Sequence, residues 1–205
     1  IIVVDDGSKD GTADIAEKMK TDVRNLKVIA NRVNQGKGAV VRDGMLKAQG
    51  EIRLFTDADN STTLDQFRNM RPYFTKGFDV VIGSRAVKGA ALRPAQPLPR
   101  SIHGKVGKLI IQTLLLFGIW DTQCGFKAFT ARAAETIFPK MKITRWGFDI
   151  EALALAKKLG FKIKEIPVVW ANDLDSKVKA SAYLQVLWET LKIRLGLWFG
   201  KYKFS

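Results

Sequence analysis

Ile52-Arg53-Leu54-Phe55-Thr56-Asp57-Ala58-Asp59 decides how the chain is read. Ile52, Leu54 and Phe55 have the character of a buried strand, and the strand runs into two carboxylates one residue apart. Side chains alternate along a strand, so Asp57 and Asp59 are expected to face one spot at its carboxyl end. In open α/β sheets, ligands bind at that edge. Two converging carboxylates offer hard oxygen ligands to Mg²⁺ or Mn²⁺, which commonly adds water and substrate phosphates to such a pair. An Asp-x-Asp pair also occurs in turns and helix caps, so the rest of the chain has to decide between these readings.

Upstream, Ile1 to Val4 is a β-branched run that predicts a buried strand, followed by the turn-rich Asp5-Asp6-Gly7-Ser8-Lys9-Asp10-Gly11. Thr12 is the expected N-cap of a helix to Lys20 with Ile15, Ala16 and Met19 on its inner face. A strand at Val28 to Ala30, a loop Asn34-Gln35-Gly36-Lys37-Gly38 and a helix from Ala39 to Ala48 precede the opening stretch. Downstream come a helix from Leu64 to Phe74 and a strand at Asp79 to Gly83 that ends in Ser84-Arg85. Strands alternating with helices predict an α/β fold with a doubly wound, mostly parallel sheet flanked by helices. One rim of that sheet would collect Asp6, Asp57, Asp59 and Arg85.

The second half changes character. Ala86 to Pro99 reads as a long loop of the kind that forms lids. A helix is expected from Arg100 to Phe117, with Val106, Leu109, Ile110, Thr113, Leu114 and Phe117 in one stripe. Asp121 to Lys127 reads as a polar turn, Ala131 to Phe138 as a short helix stopped by Pro139, and Trp146-Gly147-Phe148-Asp149 as the opening of a helix to about Leu159, ended by Gly160. Pro167 places the strand at Ile163 to Trp170 on a sheet edge. Residues 180–205 form an amphipathic helix with Leu184, Leu187, Trp188, Leu191, Leu195 and Trp198 at helical spacing and Lys192, Arg194, Lys201 and Lys203 close by. No repeat and no sharp composition break divides residues 1–205, which are expected to form a single domain.

Composition narrows the partners. Of 205 residues, 34 are Lys or Arg and 20 are Asp or Glu, for a net charge of +14, which implies an anionic partner such as a nucleic acid, an anionic lipid or a phosphorylated substrate. A hydrophobic content of 46% argues against disorder, and no stretch reaches the roughly 18 apolar residues of a membrane span. Cys124 and His103 are single, so no disulfide and no Cys–His dyad can form within the chain, and a reducing compartment fits.

In order, Asp5-Asp6-Gly-Ser, Asn34-Gln35-Gly-Lys-Gly, Asp57-Ala-Asp59, Gly83-Ser-Arg85, Asp121-Thr-Gln-Cys-Gly-Phe-Lys127 and Trp146-Gly-Phe-Asp149 resemble family 2 glycosyltransferases of the GT-A fold. Within that family the chain looks most like the dolichyl-phosphate β-glucosyltransferases, and next like the mannosyltransferases that use the same acceptor. The resemblance runs from Ile1 to about Lys179. The family starts with a further strand and helix carrying a nucleotide-gripping loop, and this sequence starts at what would be the second strand.

The resemblance implies a set of roles. Asp6, Lys37, Gly38, Asp57, Ala58, Asp59 and Arg85 would bind the nucleotide sugar, with Asp57 and Asp59 holding Mg²⁺ or Mn²⁺ at the diphosphate. Asp121, Gln123 and Asp149 would line the sugar and acceptor pocket as catalytic residues, and Arg85, Arg100 and Lys177 would hold the acceptor phosphate. The implied reaction is inverting transfer of glucose from UDP-glucose to dolichyl or polyprenyl phosphate. The acceptor phosphate is already largely anionic near neutral pH, so it needs no dedicated general base.

A long isoprenoid acceptor requires contact with a bilayer. Residues 100–117 and 180–204 are the expected interfacial helices, giving peripheral attachment at the cytoplasmic face of a membrane. The alternatives are mannosyl transfer from GDP-mannose and an inactive nucleotide-sugar-binding homologue or fragment. A nucleic-acid-binding module lacks a recognition motif, and a sugar nucleotidyltransferase would want a Gly-rich N-terminal loop that is not present.

Overall fold

The computed structural model describes residues 1–93, 107–171 and 180–203. Its strands are β1 (Ile2–Asp5), β2 (Lys27–Ala30), β3 (Ile52–Thr56), β4 (Val80–Ser84), β5 (Ala91–Arg93), β6 (Phe126–Thr130), β7 (Ile163–Pro167) and β8 (Val169–Ala171). Helices are α1 (Thr12–Lys18), α2 (Lys37–Lys47), α3 (Arg71–Thr75), α4 (residues 107–114), α5 (Ala131–Ile137), α6 (Phe148–Lys158) and α7 (Ala180–Trp198). Arg100, His103, Lys177 and residues 94–99 of the expected lid lie outside the described residues.

The central sheet has the order β3-β6-β4-β7, while β1-β2 and β5-β8 are separate parallel pairs. β4 and β7 run parallel, whereas β6 is antiparallel to both of its neighbours, β3 and β4. The α/β architecture flanked by helices is therefore as expected, with one reversed strand inserted. That strand, Phe126–Thr130, overlaps the end of what reads as a polar turn, because Lys127 breaks the hydrophobic pattern. The structure buries Lys127 completely, so a polar residue marks a core position here.

Alternation along β4 explains the two sides of the core. Val80 and Ile82 join one buried cluster with Phe129, Ile137 and Leu153, while Val81 joins the other with Phe126, Ala128 and Ile166. An aromatic chain ties the first cluster together. Phe55 lies 6.3 Å from Phe129 and 5.7 Å from Phe148, and Phe129 lies 5.2 Å from Phe138. Each such buried ring contributes about 1.5–3 kcal/mol relative to leaving it in water. The Phe55–Phe148 contact fixes the first turn of α6, and with it Asp149, against the end of β3.

α2 spans the two sheets. Gly44 backs onto β1, where a Cβ would stand 3.3 Å from Val4 Cγ2, and the Met45 carbonyl accepts from Arg53 Nη1 on β3. Arg53 is itself buried, and its guanidinium also serves the Gly50 carbonyl and Glu135.

Several local expectations change. α1 is capped at Gly11, and Asp10 accepts from the Thr12 N–H and hydroxyl, so Thr12 is the first helical residue rather than the cap. Ile15 and Met19 are exposed and only Ala16 is buried. The Leu64 to Phe74 helix is a 3₁₀ segment, Leu64–Asn69, followed by the short α3. β7 is indeed a sheet edge, but the chain leaves it at Pro167 and pairs through β8 with β5, which lies inside the expected lid.

The predicted apolar stripes face outward. Leu109, Leu114 and Phe117 are exposed around α4, as are Leu184, Trp188, Leu191, Leu195 and Trp198 on α7. The sides packed inward carry Ile111 and Leu116, and Val186, Thr190 and Ile193, respectively.

Candidate active site

β3 stops at Thr56, so Asp57 and Asp59 lie in the turn beyond it, and strand alternation does not set their direction. Asp57 is partly buried and pairs through Oδ1 with Lys37 Nζ at 2.7 Å. Its N–H donates to the Gly125 carbonyl, and its carboxylate occupies the space where a Gly125 side chain would begin, with Oδ2 2.2 Å from an ideal Cβ. Asp59 is exposed and accepts from the Ser61 N–H at 2.9 Å through Oδ1, a local turn.

Lys37 opens α2, and the loop before it is held from two sides. Asp6 accepts from the Gln35 and Gly36 N–H groups, each at 2.8 Å, and from Asn31 Nδ2. Burial opposes ionisation of Asp6, but these donors and Arg145 outweigh it and hold the carboxyl below its ordinary range. From the other side, the Thr144 carbonyl accepts from Gly38 N–H at 2.9 Å, and a Cβ on Gly38 would stand 2.6 Å from the Ile143 carbonyl oxygen. Trp146 presents its ring 5.8 Å from Lys37 Nζ. Gly38 thus permits the close backbone approach that sets Lys37 on Asp57.

At the end of β4, Arg85 grips Asp121 with its backbone N–H (2.9 Å), Nε (2.7 Å) and Nη2 (2.9 Å). Its guanidinium lies 4.7 Å from the centre of the Trp170 ring. Burial favours the neutral form of Asp121, but Arg85 overrides it and brings the carboxyl to about 2. Glu165 accepts from the N–H groups of Trp120 and Asp121, fixing the turn from below. Gln123 is exposed, and its N–H donates to Asp121.

Between these two corners sits a third ion pair. Lys127 Nζ, fully buried, reaches Asp149 Oδ1 at 2.6 Å and also donates to the Cys124 carbonyl. Burial raises the Asp149 carboxyl, with Lys127 and Lys37 only partly offsetting it. Cys124 is pushed up to about 12 by burial and by Asp121, so it is an inert thiol.

Asp57, Lys37, Asp149, Lys127, Asp121 and Arg85 therefore form one electrostatically linked cluster at the ends of β3, β4 and the start of β6. Asp121 and Asp149, both expected among the catalytic residues, are buried in ion pairs, and a desolvated carboxylate persists only with a partner. Gln123 alone of that trio is exposed. Arg85, expected to bind phosphate, spends two of the five N–H groups of its guanidinium on Asp121. Lys127, Glu165 and the two tryptophans are contributors that the pattern did not single out. Lys127 was within reach, because it closes the Asp121 to Lys127 motif.

A divalent ion fits this corner. Asp57 and Asp59 are accessible oxygen donors, and Lys37 beside Asp57 shows that the spot favours positive charge. Among the described residues no group of three or more His, Cys, Asp or Glu could hold a metal, so the oxygen donors at this corner are the two carboxylates alone.

The sequence profile of Glycosyl transferase family 2 matches residues 1–138. The chain belongs to that family. Among curated relatives, a dolichyl-phosphate beta-glucosyltransferase of Trichomonas vaginalis is 37% identical over 99% of this chain and 63% of its own length. Those of Dictyostelium discoideum and Homo sapiens are 36% and 34% identical, over 97% and 99% of this chain and 64% and 65% of their own lengths. The chain thus spans less than two thirds of these relatives. Glucosyl-3-phosphoglycerate synthase from Mycobacterium tuberculosis, solved with Mn2+ and UDP-glucose, shares the fold at a TM-score of 0.68 and 20% identity, over 95% of this chain and 67% of that one.

Proposed function

We propose that this family 2 glycosyltransferase transfers glucose from UDP-glucose to dolichyl or a related polyprenyl phosphate, with inversion, giving a β-linked lipid phosphosugar. The observation that carries the reading is the Lys37–Asp57 pair beside the exposed Asp59, at the rim where the fold presents ligands. The names of the relatives support the acceptor and the sugar. The neighbour solved with Mn2+ and UDP-glucose supports the donor and the metal.

In this reading Asp57 and Asp59 hold Mg²⁺ or Mn²⁺, whose charge would stabilise the departing diphosphate. Lys37, which pairs with Asp57 here, would be within the same corner to offer its ammonium to a phosphate oxygen were that carboxylate to hold the ion. Gly38 and Ala58 let backbone approach the nucleotide, and Asp6 holds the loop that contacts the base. Arg85, oriented by Asp121 and Trp170, turns its remaining N–H groups to phosphate. Gln123 meets sugar hydroxyls, and Asp149 sets the position of Lys127 and the local field. Arg100 and Lys177 complete the acceptor-phosphate grip.

Residues 180–204, with exposed leucines and tryptophans, meet the bilayer that holds the acceptor, as does the α4 region. No helix among the described residues is long and apolar enough to cross a membrane. The test is incorporation of label from UDP-glucose into an organic-extractable product with polyprenyl phosphate and Mg²⁺. No product, or product only from GDP-mannose, contradicts the reading.

A further inference from the structure

We infer that the groove between α4, α6 and α7 is a binding site for the anionic headgroup of a membrane lipid, distinct from the sugar-transfer cluster. Leu115, Ala154, Lys157, Lys158, Arg194, Leu197 and Trp198 enclose about 530 Å³. Lys157, Lys158 and Arg194 are exposed. Lys157 Nζ donates to the Phe117 carbonyl, and the Arg194 guanidinium lies 5.8 Å from the Trp198 ring. Both side chains are therefore held at the groove edge rather than extended into solvent.

Charge segregation on these elements identifies the partner. Across residues 107–121, α6 and α7, the acids are Asp121, Asp149, Glu151 and Glu189, and all four are buried. Each is bonded inward: Asp121 to Arg85, Asp149 to Lys127, Glu151 to the Tyr202 hydroxyl and Glu189 to the Gly147 N–H. The exposed charges of α6 and α7 are Lys157, Lys158, Lys192 and Arg194, all positive. Large apolar side chains lie on or next to the same elements, with Phe117 81%, Trp198 75%, Phe199 73% and Leu184 72% exposed.

An aqueous anion would be met by the cations alone. A groove lined by Lys157, Lys158 and Arg194 together with Leu115, Leu197 and Trp198 matches an amphiphile at a bilayer surface, where aromatic rings sit at headgroup depth. A membrane-adjacent cation contributes about 1 kcal/mol toward an anionic leaflet, so three add up to a selectivity of roughly a hundredfold. The inference rests on the membrane contact proposed above and not on sugar transfer.

Vesicle flotation of the full-length protein tests it, with phosphatidylcholine alone against phosphatidylcholine containing phosphatidylserine. The expected result is at least tenfold tighter binding to the anionic vesicles. The double variant Lys158→Glu/Arg194→Glu should abolish that preference, and the charge-matched Lys9→Glu/Lys18→Glu should retain it. Trp198→Ala should weaken binding to both vesicle types. Equal binding of the native protein to both vesicles overturns the headgroup site while leaving membrane contact intact. So does full displacement by millimolar inorganic phosphate, which would mark a free-anion site, or by a single-stranded oligonucleotide, which would mark a nucleic-acid surface.

Discussion

The Asp121 carboxylate accepts three hydrogen bonds from the single residue Arg85, one from its backbone and two from its guanidinium. The end of β4 and the turn before β6 are thereby locked as a unit, and the orientation of the Arg85 fork becomes a property of Asp121. Removing one partner leaves the other charged and largely buried, which costs about 3–5 kcal/mol. Asp121→Asn is therefore expected to lower the urea midpoint clearly, whereas Asp10→Asn, at an exposed position, should leave it nearly unchanged.

The same pair sets a pH dependence. An acid held at about 2 in the folded chain, below its unfolded value of about 3.9, is protonated more readily when unfolded. Its contribution, about 2.5 kcal/mol, is complete above that unfolded value and is lost as the pH falls through about 2. Glu151 runs the other way: burial raises it, so its stabilisation is present below the ordinary carboxylate range and fades as the pH rises through its folded value. Urea midpoints across pH should lose their steep acid limb in Asp121→Asn and keep it in Glu151→Gln.

Exposure and pairing separate the two acids of the opening stretch. Asp59→Ala should reduce Mn²⁺ binding, read by electron paramagnetic resonance, at least tenfold. Asp65→Ala, whose carboxylate pairs with Arg68 on the surface, should bind as the native protein does. Asp57→Asn should weaken Mn²⁺ binding as well and release Lys37. Equal binding in all three variants would remove the metal from the account.

Gly125 gives a steric test of the same corner. A methyl group there would collide with the Asp57 carboxylate, while one on Gly107 meets nothing within 4 Å. Gly125→Ala should therefore impair nucleotide-sugar binding by tenfold or more with a modest loss of stability. Gly107→Ala should be neutral or slightly stabilising, as expected within a helix.

Glu189 connects α7 to the turn at Trp146-Gly147 that leads into α6. Its Oε2 accepts from the Gly147 N–H at 2.6 Å, one residue from Trp146, whose ring faces Lys37. Glu189→Ala should raise the KM for the nucleotide sugar several-fold with a smaller change in kcat, and Glu189→Gln, which keeps an acceptor, should restore most of it. A uniform loss of active protein in both variants would mean that the contact only supports folding.

The alternation of strands and helices around Ile52 to Asp59 was legible because buried strands and their turn residues leave strong local signals. The reversal of β6 was not, since its marker is a buried lysine whose partner, Asp149, stands 22 residues away. The stripes on α4 and α7 were read at the right spacing, but periodicity does not say which apolar face turns inward. Trp188 and Trp198 belong to the exposed face, while Glu189 and Thr190 are buried. The rim residues Asp6, Lys37, Asp57 and Arg85 could be named from motifs. The pairing of Lys37 with Asp57 and of Arg85 with Asp121 depends on tertiary placement that spacing does not encode.

The most direct measurement of the central claim is label transfer by the full-length protein from UDP-glucose to polyprenyl phosphate with Mg²⁺ or Mn²⁺, with Asp59→Ala and a GDP-mannose reaction run in parallel. The account predicts an acid-labile glucolipid from UDP-glucose alone, lost on chelation and in Asp59→Ala. A lipid product that is indifferent to chelation and to Asp59, or that arises only from GDP-mannose, would contradict it.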